Sequence, residues 1–209
     1  MLLTPLDEVL GAVSKVRTLR LLFRLDSSAT GREVEKLAGI KSRAALRKTL
    51  HELVAAGILL RGGTPSTHMY QVNPRHQLFP ELTLLFHAES KRIGELADEL
   101  RGVVERSGSS ERLRSLVVFG SNARGDAQAD SDLDLLAIVD AEPSVVPVRD
   151  ALLDADGLVQ ARFGFRISPY VLSIQRVRER YEAGDPLMQA VEAEGRTLLG
   201  SPFHQIVRK

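Results

Sequence analysis

One stretch of this chain restricts its fold more than any other. Ser115-Leu116-Val117-Val118-Phe119 reads as a buried strand by its apolar run, and Gly120-Ser121 follows at once. Ten residues, 122 to 131, separate Ser121 from Asp132, and Leu133 alone separates Asp132 from Asp134. The aspartates alternate with Leu133 and Leu135, so a strand there carries both carboxylates on one face, close enough to share a cation. Paired carboxylates on a rigid edge are what magnesium sites use when substrate phosphates supply the remaining oxygens.

Gly120 permits close backbone approach, and Ser121 stands where a strand hands over to a helix. Backbone N–H groups at that handover, with the serine hydroxyl, form an anion site suited to a triphosphate. The letters GS, ARG and SDLDLL, at Gly120, Ser121, Ala123 to Gly125 and Ser131 to Leu136, resemble the signature of the nucleotidyltransferase superfamily related to DNA polymerase beta. The resemblance is closest to its minimal nucleotidyltransferase branch and covers roughly residues 109 to 200. It implies that Gly120 and Ser121 hold nucleotide phosphates and that Asp132 and Asp134 bind Mg²⁺ (or Mn²⁺) as the catalytic pair. It also implies transfer of a nucleotidyl group from a nucleoside triphosphate to an acceptor; small members include antitoxins that modify a partner toxin, so a protein acceptor is one expectation. Arg124 either offers its charge to a phosphate, as a nucleotide-binding residue, or pairs with Asp126 or Asp132 to hold the loop.

Transferring members of the superfamily generally carry a third carboxylate on a later strand, which helps take the proton from the acceptor. Here the strand expected after a helix over 145–160 reads Gly164-Phe165-Arg166-Ile167-Ser168-Pro169-Tyr170-Val171-Leu172-Ser173, with no acid. Ser168-Pro169 occupies the neighbourhood, and the proline is expected to break the strand ladder. Asp154, Asp156 and Asp185 are the candidate substitutes.

The first 75 residues are patterned differently. Apolar spacing predicts a helix over 14–25, and Thr30 with Glu33 forms a capping-box pattern opening a short helix that ends at Gly39. Ser42 caps a longer helix, Arg43 to Ala56, stopped by Gly57. Ile58-Leu59-Leu60 and Met69-Tyr70-Gln71-Val72 then flank a Gly62-Gly63-Thr64-Pro65-Ser66 loop, a hairpin pattern. That order resembles the winged helix-turn-helix of bacterial regulators, whose second helix enters a DNA major groove. Lys41, Ser42, Arg43, Arg47 and Lys48 on that helix, and Arg61 on the hairpin, are the residue types that reach phosphates and guanine edges. DNA is the expected partner of residues 1–76, with protein contact as the alternative.

A long helix over 82–106 places Ile93, Leu96, Leu100 and Val103 in a heptad-like seam, read either as packing on its own domain or as a homodimer seam. Ser107-Gly108-Ser109-Ser110 marks a hinge by composition. Helices over 174–181 and 186–194 and an apolar segment 197–200 close the chain. The expected class is α+β or α/β: a winged helix-turn-helix (1–76), a linker helix (77–108) and a nucleotidyltransferase-like mixed sheet flanked by helices (109–209).

Composition removes other classes. The 209 residues contain no cysteine, which excludes disulfides, thiolate metal sites and a cysteine nucleophile. The five histidines lack metal-ligand spacing, apolar runs are too short for a membrane span, and no signal peptide is evident, so a cytoplasmic protein without membrane partners is expected. The formal net charge of +1 conceals a split, since residues 1–75 hold 12 Lys/Arg against 6 Asp/Glu. A basic first half suits DNA, and an acidic second half suits cations or a solvated surface. Two functions remain open: a nucleotidyl-transferring enzyme, or a DNA-binding regulator whose transferase-like half senses a nucleotide or docks a partner without chemistry.

Overall fold

The computed structural model describes residues 2, 4–108, 112–125, 127 and 131–208; Ser109 and Ser110 of the expected hinge, and Asp126, lie outside the described residues. The chain is mixed α/β and divides into two compact units, Thr4–Ser90 on the one hand and Met1–Leu3 with Lys91–Lys209 on the other.

The Thr4–Ser90 unit contains α1 (Pro5–Val9), α2 (Val13–Leu25), β1 (Ala29–Thr30), α3 (Gly31–Leu37), α4 (Arg43–Ala55), β2 (Leu59–Thr64), β3 (Thr67–Val72) and the opening of α5 (Phe79–Arg106). The capping box forms as expected: Thr30 Oγ1 accepts from the Glu33 N–H at 3.3 Å, and the Glu33 carboxylate accepts from the Thr30 N–H at 2.7 Å. Ser42 Oγ caps α4 by accepting from the Ala45 N–H at 3.2 Å. Gly39 and Gly57 take φ of +63° and +74°, the left-handed turns that end α3 and α4. Val16, Leu19 and Leu22 of α2, Val34 of α3, Leu46, Leu50 and Leu53 of α4, and Leu59 of β2 share one buried core. The three strands form an antiparallel sheet in the order β1-β3-β2.

The hairpin corrects one expectation. Gly62, Gly63 and Thr64 belong to β2, and the turn is confined to Pro65 and Ser66. Gly63 sits at φ +95° against the Thr67 carbonyl, a position no side chain could occupy, so glycine here serves pairing at the end of a strand.

The second unit contains the rest of α5, then β4 (Leu113–Val118), α6 (Gly120–Arg124), β5 (Leu133–Val139), a 3₁₀ turn (Glu142–Ser144), α7 (Val145–Asp154), α8 (Asp156–Phe163), β6 (Ile167–Ser173), α9 (Ile174–Glu182), α10 (Pro186–Glu194), β7 (Arg196–Gly200) and α11 (Phe203–Val207). Its sheet runs β6-β5-β4-β7, with β5 and β6 parallel and the other pairs antiparallel. Both faces are covered. Leu116, Val118, Leu133 and Leu135 meet α5, α7 and α8 on one side through Leu96, Leu100, Leu152 and Val159. Val117, Leu136 and Ile138 meet Val177, Met188, Val191, Phe203 and Ile206 on the other.

Of the two readings of the Ile93–Leu96–Leu100–Val103 seam, packing on its own domain holds: Leu96 and Leu100 are fully buried in the chain's own core, with Ile93 and Val103 packed against it. Two further expectations change. The helix expected over 145–160 is two helices meeting at Ala155. Pro169 does not break the β6 ladder, because β6 is the sheet edge, where a missing N–H is tolerated.

The burial pattern of α5 carries a prediction. Leu100→Ala should destabilise the protein by about 2–5 kcal/mol in chemical denaturation. Leu84→Ala, on the same helix but 69% exposed, should change stability by less than about 0.5 kcal/mol.

Candidate functional site

The buried run of β4 ends in an extended Phe119, whose N–H donates to the Asp134 carbonyl at 3.1 Å. Gly120 then turns the chain at φ +69° into α6, and a Cβ added there would stand 2.5 Å from Asp134 Oδ2. Two demands therefore meet at Gly120: a left-handed backbone, and room for the carboxylate beside it. Asn122 is buried and fastens α6 to the start of β5, its Nδ2 donating to the Asp132 carbonyl at 3.0 Å while its Oδ1 accepts from the Leu2 N–H at 3.1 Å.

Strand alternation places the carboxylates as the sequence indicated. Leu133, Leu135 and Ala137 belong to one core and Leu136 and Ile138 to the other, so Asp134 lies on the face covered by α9, α10 and α11. Asp134 is half-buried and Asp132 exposed. Burial pushes the Asp134 carboxyl up from its ordinary value, the Asp132 charge pushes it further, and the Arg124 guanidinium partly offsets both. Arg124 also ion-pairs with Glu194 at the end of α10 at 2.7 Å. Arg196 Nε donates to the Ala123 carbonyl at 3.0 Å, a second tie on the same short helix. Pairing of Arg124 with Asp126 concerns a residue outside those described.

Register identifies the neighbour of Asp134 on the next strand, where the resemblance led one to expect a third acid. Asp134 pairs with Ser168 across the parallel β5–β6 ladder, and Ser168 is exposed. The substitutes do not stand in for it. Asp154 and Asp156 belong to helices that cover the opposite face of the sheet. Asp156 accepts from the Ile167 N–H at 2.8 Å and from Arg166 at 3.0 Å, which anchors the start of β6. Asp185 caps α10, accepting from the Leu187 and Met188 N–H groups, and its pairing with Arg180 at 2.7 Å holds its carboxyl below the usual range. Among the described residues no group of three His, Asp or Glu side chains could hold a metal ion. The two aspartates stand as a pair.

In the Thr4–Ser90 unit, the six basic and polar candidates are all exposed. They differ in their partners. Arg43 is paired with Glu35 at 3.0 Å and Lys48 with Glu52 at 3.9 Å, whereas among the described residues Lys41, Arg47 and Arg61 form no ion pair. Ser42 Oγ accepts from the Ala45 N–H at the cap, which leaves its hydroxyl hydrogen free to donate to another partner. Sequence reasoning missed Asn122 and Glu194. No local pattern marks either one, because each matters through a partner ten or seventy residues away.

Residues 98–181, less than half of the chain, match the family model described as a nucleotidyltransferase domain. No curated protein matches the chain. Among solved structures, one described as "Crystal structure of the toxin-antitoxin with AMP-PNP" is similar, with a TM-score of 0.35 and 12% identity, covering 54% of this chain and 81% of that one.

Proposed function

We propose that this chain is a DNA-binding protein whose second unit binds a nucleoside triphosphate with a divalent cation and transfers its nucleotidyl group to an acceptor. The observation that carries the reading is the Asp132–Asp134 pair, in which Asp134 is packed against Gly120 and held above its ordinary pKa by burial and by Asp132. A carboxylate kept in that state is poised for a cation that relieves both penalties, so the donor set fits one hard divalent ion with triphosphate oxygens completing its shell. When bound, Mg²⁺ would neutralise charge on the triphosphate. Gly120 and Ser121 would hold the phosphates, as the signature resemblance implies. The acceptor hydroxyl oxygen attacks the α-phosphorus, the bond to the bridging oxygen breaks and pyrophosphate leaves. Ser168 cannot take the acceptor's proton, so it passes to solvent or to a base on the acceptor.

Ser168 favours a second reading, in which nucleotide is bound without chemistry and serves as a signal to the DNA-binding unit. For that unit the sequence resemblance to winged helix-turn-helix regulators, Lys41, Arg47 and Arg61 without an ion pair among the described residues, and the hairpin beside α4 support DNA as partner over a protein contact.

Four outcomes are expected. Labelled ATP, GTP, CTP or UTP with Mg²⁺ and a panel of protein, RNA and small-molecule acceptors should give transfer that Asp132→Ala/Asp134→Ala abolishes. Ser168→Asp should raise the rate about a hundredfold by supplying a general base; nucleotide binding with no transfer in either protein selects the second reading. Because the folded chain holds the Asp134 proton more tightly than the unfolded one, ionisation of Asp134 opposes folding. That penalty is absent below 3.8 and grows as pH rises through the raised value. Asp134→Asn should therefore melt roughly 1–3 °C higher than wild type at pH 8 without Mg²⁺, and no higher at pH 3. On DNA selected from a random pool, Arg47→Ala and Lys41→Ala should each reduce the slope of log affinity against log salt by about 1. An unchanged slope in both variants counts against DNA contact through α4.

A further inference from the structure

Asp26 is the one non-glycine among the described residues with a left-handed backbone, at φ +48°. It also ends α2, where the helix dipole disfavours an anion. Glycine or asparagine meets such a C-terminal turn at lower cost, so the carboxylate carries a backbone and a dipole penalty at once. No local hydrogen bond compensates: among the described residues Asp26 has neither an ion pair nor a side-chain hydrogen bond. It lines a cleft of about 460 Å³ whose walls include Phe23, Phe79 and Val72 and whose rim includes Ser27 and Gln71. The Phe23 and Phe79 rings stand 5.8 Å apart between centroids, and Phe23 stacks further in on Phe86 at 5.2 Å. Volume and lining are those of small-molecule sites.

We infer that this cleft is a binding site for a small organic cation with an apolar body, such as an aryl- or alkyl-ammonium compound. The Phe23 and Phe79 rings take the apolar body and attract the cation through their faces. Asp26 and the last carbonyls of α2 supply the negative end, so a bound ammonium turns the unfavourable anion at the helix terminus into a matched pair. The chain from Asp26 to Ser28 leads into β1 and α3, so an occupant bears on the segment that sets the start of the helix pair α3–α4. This site is independent of the nucleotidyl-transfer reading and involves none of its residues.

Titration of the full chain with phenethylammonium, its neutral alcohol isostere and the anionic 3-phenylpropionate, followed by NMR and calorimetry, tests it. The cation should bind about tenfold more tightly than the alcohol, with the carboxylate weakest. Asp26→Asn should remove most of the cation's advantage over the alcohol, leaving the part that the ring faces and the helix carbonyls supply. Asp26→Gly should lose the same preference while melting roughly 2–4 °C higher, since it relieves both backbone and dipole penalties. Equal binding of cation and alcohol by the wild type, or a preference undiminished by Asp26→Asn, overturns the proposal. So does the absence of binding by any of the three.

Discussion

Everything at the candidate site depends on β5 having both faces covered. From Leu135 to Val139 every residue of that strand is buried, so the strand can display polar groups only at its beginning. Asp134 is the last position on its face before the core closes, which fixes its direction and removes part of its water. The same packing that orients the carboxylate also raises its pKa, and Gly120, at φ +69°, leaves that carboxylate the space a Cβ would contest. Position, strain and charge are three consequences of one buried strand.

A short helix such as α6 has little stability of its own, and its hold on the site comes from long-range ties. Asn122 reaches the start of β5, Arg124 reaches Glu194 at the end of α10, and the Ala123 carbonyl receives Arg196 from β7. α4 is held instead by its core face, Leu46, Leu50 and Leu53. Its outer cations are mixed: Arg43 and Lys48 pair with Glu35 and Glu52, while among the described residues Arg47, and Lys41 just before the helix, carry no counter-charge. An exposed cation without a counter-charge is suited to an outside anion.

Local chemistry was legible in the sequence and distant pairing was not. The Thr30–Glu33 box, the Ser42 cap, the Gly39 and Gly57 turns and the Asp-x-Asp alternation all depend on neighbours within a few residues, and each appears where the pattern put it. The seam on α5 looked equally suited to a second chain or to a core, since periodicity identifies an apolar face without naming what covers it. Gly62-Gly63 reads as a loop because strand pairing is a property of the partner strand. β1, two residues long, exists only through Tyr70 and Met69 of β3. In the site, the two aspartates and Gly120 were visible as a motif. The meaning of Ser168 as the register neighbour of Asp134 required the parallel pairing of β5 with β6.

That register also decides how a two-acid site differs from a three-acid one. Two carboxylates with one divalent cation sum to no net charge, and a third acid at position 168 would leave the assembly negative. Under the proposed function a neutral site would repel a triphosphate less than a negative one, so a serine at 168 would favour nucleotide binding where an added carboxylate would work against it. The acid's other contribution, accepting the proton of an attacking hydroxyl, is lost with it. Holding a nucleotide and activating an acceptor thus pull residue 168 in opposite directions. Because β6 is the sheet edge and Ser168 is exposed, no packing constraint dictates the choice of side chain. On the proposed function, residue 168 is therefore free to follow the electrostatics of the site, and a serine there favours holding a nucleotide over activating an acceptor.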